Sequence, residues 1–166
     1  MKARMSREEY YLEVLEAVRK RSTCDRGKSG AIIVREGRVI TTGYVGAPTG
    51  CGHCDEVGHL IEYRGLDERK MRKHCIRTVH AELNAILQAA YFGVSIKYGT
   101  MYCTMVPCFP CGQAIVNVRI ARVIAVHPYQ TQERTVELFE HCGVELAILK
   151  PDSPFSYEWT CTRKEK

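Results

Sequence analysis

TVHAELNAI at residues 78–86 and VPCFPCGQAI at residues 106–115 are the most informative segments of this chain. In the first, His80 and Glu82 open a segment whose apolar residues recur at helical spacing. In the second, Cys108 and Cys111 lie in the first turn of another predicted helix. Each stretch therefore predicts a helix that carries polar, metal-binding types of side chain at its N-terminal end.

The composition is that of one globular domain. The chain has 166 residues, of which 45% are hydrophobic and 26% charged, and it lacks an apolar run near the roughly 20 residues of a membrane span. The charged N-terminus does not resemble a signal peptide, so we expect a cytoplasmic protein whose nine cysteines are metal ligands or buried thiols. We expect a single domain over residues 1–166, with a core at about 6–149, a Cys/His-rich insertion at about 45–78 and an irregular C-terminal tail at 150–166.

Local patterns outline the elements around these two stretches. A capping box of Ser6 and Glu9 starts an amphipathic helix at residues 7–20, and a β-hairpin turns at Gly37. Residues 43–79 lack periodicity and are expected to form a long loop. The second half alternates strands with helices, which indicates a largely parallel sheet: strands at 100–104, 122–126 and 144–149, and helices at 108–118 and 131–141.

The side chains of His80, Cys108 and Cys111 form a candidate zinc site. One imidazole and two thiolates leave the fourth position open for water, as in catalytic zinc sites. Glu82 lies close enough to shuttle protons without being a ligand. An isolated C-x-x-C is often structural zinc or a redox pair, but H-x-E followed by P-C-x-x-C is a signature of nucleobase deaminases. The combination favours hydrolytic deamination, with Glu82 as the catalytic residue.

A second group of cysteines and histidines lies in the irregular segments. A closed, four-ligand zinc could hold such loops in place, and the preferred ligands are Cys24, Cys54, His59 and Cys75. Cys51, His53 or His74 could replace one of these four as a zinc ligand. The remaining thiols, Cys103, Cys142 and Cys161, are interpreted as buried or incidental.

With these motifs, the chain resembles the deoxycytidylate (dCMP) deaminases of the cytidine deaminase superfamily. The resemblance runs from about Ser6 to Leu149, through RSTCDRGKSGAIIV, HCDEVGH, HCIRTVHAELNAI and PCFPCGQAI. It implies a three-layer α-β-α fold of the cytidine deaminase type, with a five-stranded mixed sheet. It also implies zinc-dependent hydrolysis of dCMP to dUMP and ammonia, which supplies dUMP for thymidylate synthesis. A second structural zinc, a homo-hexamer, activation by dCTP, inhibition by dTTP, and Mg²⁺ accompanying these effectors are further implications.

The resemblance also implies three substrate contacts. Arg26 matches a position near the phosphate, and its planar guanidinium suits that task. Tyr129 matches a position near the substrate, although an aromatic residue there could equally be packing, and Asn84 contacts the nucleotide or forms a local hydrogen bond. Val45 stands where the family typically has an asparagine that contacts the sugar. Since valine cannot form that hydrogen bond, the choice of nucleotide stays open.

Two other classes of function remain. The first is a deaminase of another cytosine nucleotide or nucleoside, or of adenosine in tRNA; the net charge of +5 is compatible with RNA, but the lack of an interleaved basic and aromatic stripe argues against a nucleic-acid partner. The second is a catalytically idle nucleotide sensor. Such a protein would be expected to lose the proton shuttle, and Glu82 is present.

Overall fold

A six-stranded mixed sheet forms the centre of the computed structural model, which describes residues 4–64, 71–150 and 157–161. Its strands are β1 Gly30–Arg35, β2 Arg38–Tyr44, β5 Thr100–Met105, β6 Arg122–His127, β7 Glu145–Leu149 and β8 Tyr157–Cys161. Their order across the sheet is β2-β1-β5-β6-β7-β8. The helices are α1 Arg7–Lys20, α2 Cys54–Val57, α3 Ala81–Phe92, α4 Phe109–Asn117 and α5 Glu133–Cys142, and a separate two-stranded sheet pairs β3 Ile61–Arg64 with β4 Arg72–Cys75.

The sheet combines a hairpin with two parallel crossovers. The β1–β2 hairpin turns at Glu36 and Gly37, which have φ values of 53° and 75°, the left-handed pair that two-residue hairpin turns require. Strand β1 then pairs antiparallel with β5, and β5, β6 and β7 run parallel because α4 and α5 connect them. The sheet is therefore mixed, as the resemblance implied, and parallel in its second half.

Helices cover both faces of this sheet, so the three-layer prediction is confirmed. On β1, Ile32 and Val34 face α1 and pack with its Tyr11 and Leu15. The alternate β1 residues face the opposite core, which includes residues of α3, α4 and α5. This division follows from the two-residue period of a strand.

Helix α1 begins as the sequence predicts. The backbone N–H of Glu9 donates to Ser6 Oγ at 3.1 Å, and the Glu9 carboxylate accepts from the Ser6 backbone N–H. This reciprocal pair is the predicted capping box.

Within the described residues, no helix is both long and apolar enough to span a bilayer.

Gly43 brings α3 directly onto β2. A Cβ atom at Gly43 would lie 2.2 Å from the carbonyl oxygen of Ala81 and 2.4 Å from the backbone nitrogen of Ala85. Glycine is required here because any side chain would push α3 away from the sheet. The contact lies in the first turns of α3, next to His80 and Glu82, so it sets the position of the candidate site.

The insertion is more regular than the predicted long loop. Residues 43–79 contain the end of β2, the short helix α2 and the antiparallel β3–β4 pair, in which Ile61 faces Cys75. Sequence periodicity missed α2, β3 and β4 because each has only four residues, which is too short for a pattern to emerge.

The C-terminal tail corrects two predictions. Residues 157–161 form the sixth strand, β8, antiparallel to β7, where an irregular tail and a five-stranded sheet were expected. Strand β8 completes the open edge of β7, and the Cys161 side chain is buried against the core. The alternation of Tyr157, Trp159 and Cys161 with polar residues was the signal that could have predicted a strand. The other tail residues, 151–156 and 162–166, lie outside the described part of the chain.

Candidate active site and metal centres

Two helix starts bring His80, Cys108 and Cys111 together. His80 is the N-cap of α3, Cys108 is the N-cap of α4, and Cys111 lies in the first turn of α4. The Nδ1 atom of His80 lies 3.3 Å from Cys108 Sγ and 3.6 Å from Cys111 Sγ, and one ligand atom from each of the three lies within 4.8 Å of the others. One nitrogen and two sulfurs at these separations suit an open zinc site.

The two thiols of this group cannot easily ionise together. Their mutual hydrogen bond and the nearby His80 lower the pKa of Cys108 to about 4. The same hydrogen bond with Cys108, together with burial, raises the pKa of Cys111. One thiolate therefore forms readily, and the second needs a neighbouring positive charge. A divalent cation held among the three ligand atoms would supply that charge.

Glu82 lies in the first turn of α3 and is only 6% exposed. Burial raises the pKa of its carboxyl group, and the group is also hydrogen-bonded with Cys111. A carboxyl group with a raised pKa can both accept and return a proton near neutral pH. Glu82 is not one of the grouped ligands, which leaves its carboxylate available for proton transfer.

A cleft opens over these residues. A cavity of about 300 Å³ is lined by Glu82 and by both His80 and Cys108. It adjoins a cavity of about 660 Å³, and both volumes share a set of lining residues: His74, Cys75, Thr78, His80, Cys108 and Tyr129. The smaller volume, called the catalytic cavity below, thus gives access to the candidate metal site and to Glu82.

The structure places two of the three predicted substrate contacts in this cavity. Arg26 and Tyr129 both line it, and burial raises the pKa of the half-buried Tyr129 hydroxyl. Asn84 does not line either cavity, and its Nδ2 donates to the carbonyl oxygen of Tyr44 at 2.7 Å. The local hydrogen bond considered for Asn84 is therefore present. Val45 also lines the catalytic cavity and is 8% exposed.

The four preferred residues of the second group lie together. One ligand atom from each of Cys24, Cys54, His59 and Cys75 lies within 4.8 Å of the others; this set is called the Cys24 cluster below. Cys24 Sγ is 3.8 Å from His59 Nδ1, and Cys54 Sγ is 3.6 Å from Cys75 Sγ. Three sulfurs and one nitrogen match the donor set of a closed structural zinc site.

The protonation of this cluster also favours a cation. Burial, with hydrogen bonds to Cys75 and Cys24, raises the pKa of Cys54 to about 12. Burial acts in the same direction on Cys75, but hydrogen bonds from the Arg77 backbone and His59 outweigh it and lower the pKa of Cys75 to about 7. Neighbouring thiols thus compete for one proton, as they do at the first site, and a bound cation would relieve that competition.

The residues kept as substitutes lie outside this cluster. Cys51 is exposed, His53 is the N-cap of α2, and His74 lines the cleft. Among the other thiols, Cys103 and Cys161 are buried and Cys142 is exposed, as interpreted from the sequence.

Asp25 is a participant that sequence reasoning missed. Its Oδ1 lies 2.9 Å from His59 Nε2, while the other ring nitrogen of His59 faces Cys24. A carboxylate that accepts from the outer nitrogen of a ligating histidine fixes the orientation of the ring. The only sequence signal was the position of Asp25 directly after Cys24.

The chain matches one family model and several curated relatives. The family model described as the cytidine and deoxycytidylate deaminase zinc-binding region matches residues 5–127. The chain is 38% identical over 149 residues to the ComE operon protein 2 of Bacillus subtilis, covering 90% of this chain and 74% of that protein. It is 30% identical to the deoxycytidylate deaminase of Enterobacteria phage T4, covering 81% of this chain and 86% of the phage enzyme.

The chain is also similar to a yeast enzyme and to a solved phage structure. The deoxycytidylate deaminase of Schizosaccharomyces pombe is 33% identical, and the match spans 86% of this chain but 44% of the yeast enzyme. The crystal structure of the dCMP deaminase of cyanophage S-TIM5, in complex with dCMP and dUMP, superposes with a TM-score of 0.70 at 25% identity. That match covers 89% of this chain and 100% of the phage chain.

Proposed function

Because the chain belongs to the family of cytidine and deoxycytidylate deaminases, we propose that it hydrolyses dCMP to dUMP and ammonia in a zinc-dependent reaction. The observation that carries the proposal is the buried carboxyl group of Glu82 beside a three-ligand metal site, in a cavity that also includes Arg26. The relatives named as deoxycytidylate deaminases and the structure holding dCMP and dUMP support this substrate.

His80, Cys108 and Cys111 would hold the catalytic zinc. When bound there, zinc makes water acidic enough to ionise near neutral pH. Both cysteines lie at the N-terminus of α4, whose N–H groups and positive dipole end stabilise the thiolate form. The Cys24 cluster would hold a second, structural zinc, because its four ligand atoms leave no position for a substrate.

Glu82 moves the protons of the reaction. Its carboxylate takes a proton from the attacking water and passes protons to the ring nitrogen and to the departing amino group, so that one water is consumed and one ammonia released. Burial raises the pKa of the Glu82 carboxyl group, which makes it easier for the carboxylate to accept a proton before donating it again. No other carboxylate lines the catalytic cavity within the described chain.

The cavity orients the nucleotide from two ends. The cytosine ring would lie against Glu82 and His80, beside the half-buried ring of Tyr129, because these residues line the same cavity. The phosphate would then face the exposed Arg26, which also lines it. An Arg and phosphate pair is favourable because the guanidinium presents parallel donors.

Assembly and regulation complete the proposal. Exposed apolar side chains follow one another from α3 to the start of β5, and they suit a homo-oligomer: Leu87, Tyr91, Phe92, Val94 and Tyr98. Hexamer formation, control by dCTP and dTTP, and Mg²⁺ with these effectors remain predictions from the family resemblance, and a cytoplasmic location remains a prediction from the sequence.

The test is ultraviolet-monitored deamination of dCMP, CMP, dCTP, cytidine and deoxycytidine, with the zinc content measured on the same sample. We expect selective turnover of dCMP and two zinc ions per chain. Selective turnover of another compound in the panel would contradict the substrate, and no turnover by a zinc-loaded chain would contradict the activity.

A further inference from the structure

The Cys24 cluster and the catalytic cavity share a wall. Cys24 and Cys75 belong to the cluster and also line the cavity, whereas Cys54 and His59 belong to the cluster alone. Val45 packs against Cys24 and Cys54 on one side and lines the cavity as well. A change in the cluster can therefore reach the cavity through two of its four members.

Each shared cysteine has a cationic neighbour that lines the same cavity. Arg26 follows Cys24 by two positions, and Lys73 precedes Cys75 by two positions on β4. The two cationic residues are also joined directly, since Arg26 Nη2 donates to the carbonyl oxygen of Lys73 at 3.1 Å. The cluster thus holds together two chain segments that each bring one cationic residue to the cavity lining, and the Lys73 ammonium lies 5.8 Å from the centroid of the Tyr63 ring.

These segments have little regular structure to hold them otherwise. Residues 21–29 contain neither helix nor strand, and among the described residues β4 pairs with β3 alone, in a two-stranded sheet. A two-stranded antiparallel pair is marginal by itself in water. Ligation of Cys24 and Cys75 to one ion would fix both segments at one point, close to Arg26 and Lys73.

Asp25 stands between the ligand and the cation. It accepts from His59 Nε2 at 2.9 Å, so it positions the imidazole of the cluster, while Cys24 before it is a ligand and Arg26 after it lines the cavity. The consecutive residues Cys24, Asp25 and Arg26 would therefore connect the metal, its histidine ligand and the cationic lining of the cavity.

We infer that the metal of the Cys24 cluster sets the affinity of the cavity for the phosphate of its substrate, by positioning Arg26 and Lys73. The inference rests on the proposed function. The second metal would then determine the preference for a nucleotide over its nucleoside, in addition to stabilising the insertion.

The test measures binding instead of turnover. In a Glu82→Gln background, dissociation constants for dCMP and deoxycytidine are measured by calorimetry, with and without Cys54→Ser. Cys54 is a cluster member that does not line the cavity. The matched control is Cys51→Ser, which removes an exposed thiol of the same insertion that lies outside the cluster.

We expect Cys54→Ser to lose one zinc per chain and to weaken dCMP binding at least about tenfold, the effect of impairing a hydrogen bond to a charged group. Binding of deoxycytidine should change less than about twofold, since it lacks the phosphate. The control should keep both zinc ions and both affinities. Equal weakening of both ligands, or unchanged dCMP binding after loss of the zinc, would overturn the inference.

Asp25→Ala provides a second variant that keeps all four ligands. Removal of the orienting carboxylate should weaken metal binding about 10-fold to 100-fold, and dCMP affinity should fall with the metal content and recover with added zinc. Removal of a negative charge next to Arg26 would by itself strengthen phosphate binding, so a rise in dCMP affinity at low zinc would contradict the inference.

The two levels of the proposal fail differently. A Glu82→Gln chain that does not prefer dCMP to deoxycytidine would overturn the proposed substrate, and the inference with it. A preference for dCMP that survives loss of the second zinc would overturn the inference alone.

Discussion

Asn84 shows how one residue can serve the site without touching the substrate. Its amide donates to the carbonyl oxygen of Tyr44, the last residue of β2, and so ties α3 to the strand that ends beside Val45. We expect Asn84→Ala to lower the free energy of unfolding by about 1 kcal/mol and to change the KM for dCMP less than about twofold. Urea denaturation and steady-state kinetics check both values. A tenfold rise in KM at unchanged stability would show instead that Asn84 contacts the nucleotide.

Arg26 and Lys73 are predicted to act on the phosphate alone. We expect Arg26→Ala to raise the KM for dCMP at least about tenfold, through loss of a charge-assisted hydrogen bond, while kcat stays within about threefold. The KM for deoxycytidine should not change. A fall in kcat with KM unchanged would place Arg26 in the chemical step.

At the scale of the elements, the contact of α3 with β2 positions the catalytic residues. In Gly43→Ala, the added methyl group would meet the backbone of Ala81 and Ala85, and we expect a loss of stability of about 1–3 kcal/mol or more. Because Glu82 lies in the same helical turn, kcat should fall as well. Gly27→Ala is the matched control for stability, since nothing lies within 4 Å of its added Cβ. Equal stability of the two variants would contradict the close approach.

Helix α1 lies on the opposite face of the sheet, away from the cleft. Ser6→Ala removes its side-chain cap, and we expect the free energy of unfolding to fall by about 1 kcal/mol. Turnover should be unchanged, because α1 contributes no residue to the catalytic cavity. Thermal denaturation and the deaminase assay check this pair of outcomes, and a loss of turnover at full stability would refute it.

Two candidate metal sites, which differ in how exposed their ligands are, border one cavity. His80 of the first site is exposed, whereas Cys24 and Cys54 of the second are 3% and 4% exposed. We expect a chelator to remove one zinc per chain quickly, together with activity, and the second zinc slowly, together with thermal stability. Zinc release followed by a colorimetric chelator tests the order. Simultaneous release of both ions would contradict it.

The sequence predicts those features of the fold and the site that depend on residues close together in the chain. The capping box at Ser6, the hairpin turn at Gly37 and the two zinc-binding stretches depend on residues close together in the chain. The β3–β4 pair, strand β8 and the contact of Asp25 with His59 depend on partners that only the folded chain brings close. The four-residue strands β3 and β4 and a carboxylate without a motif give no usable local signal. The alternation in residues 157–161 was a local signal for β8, but its pairing with β7 required the structure.

Glu82→Gln removes the group that transfers protons at the zinc site and keeps a side chain of nearly the same size. Ammonia release from dCMP, the zinc content and thermal unfolding are measured side by side on the variant and the unmodified chain. We expect turnover to fall at least about 100-fold, with both zinc ions and the unfolding temperature retained. A Glu82→Gln chain that still releases ammonia at the unmodified rate would contradict the assigned mechanism.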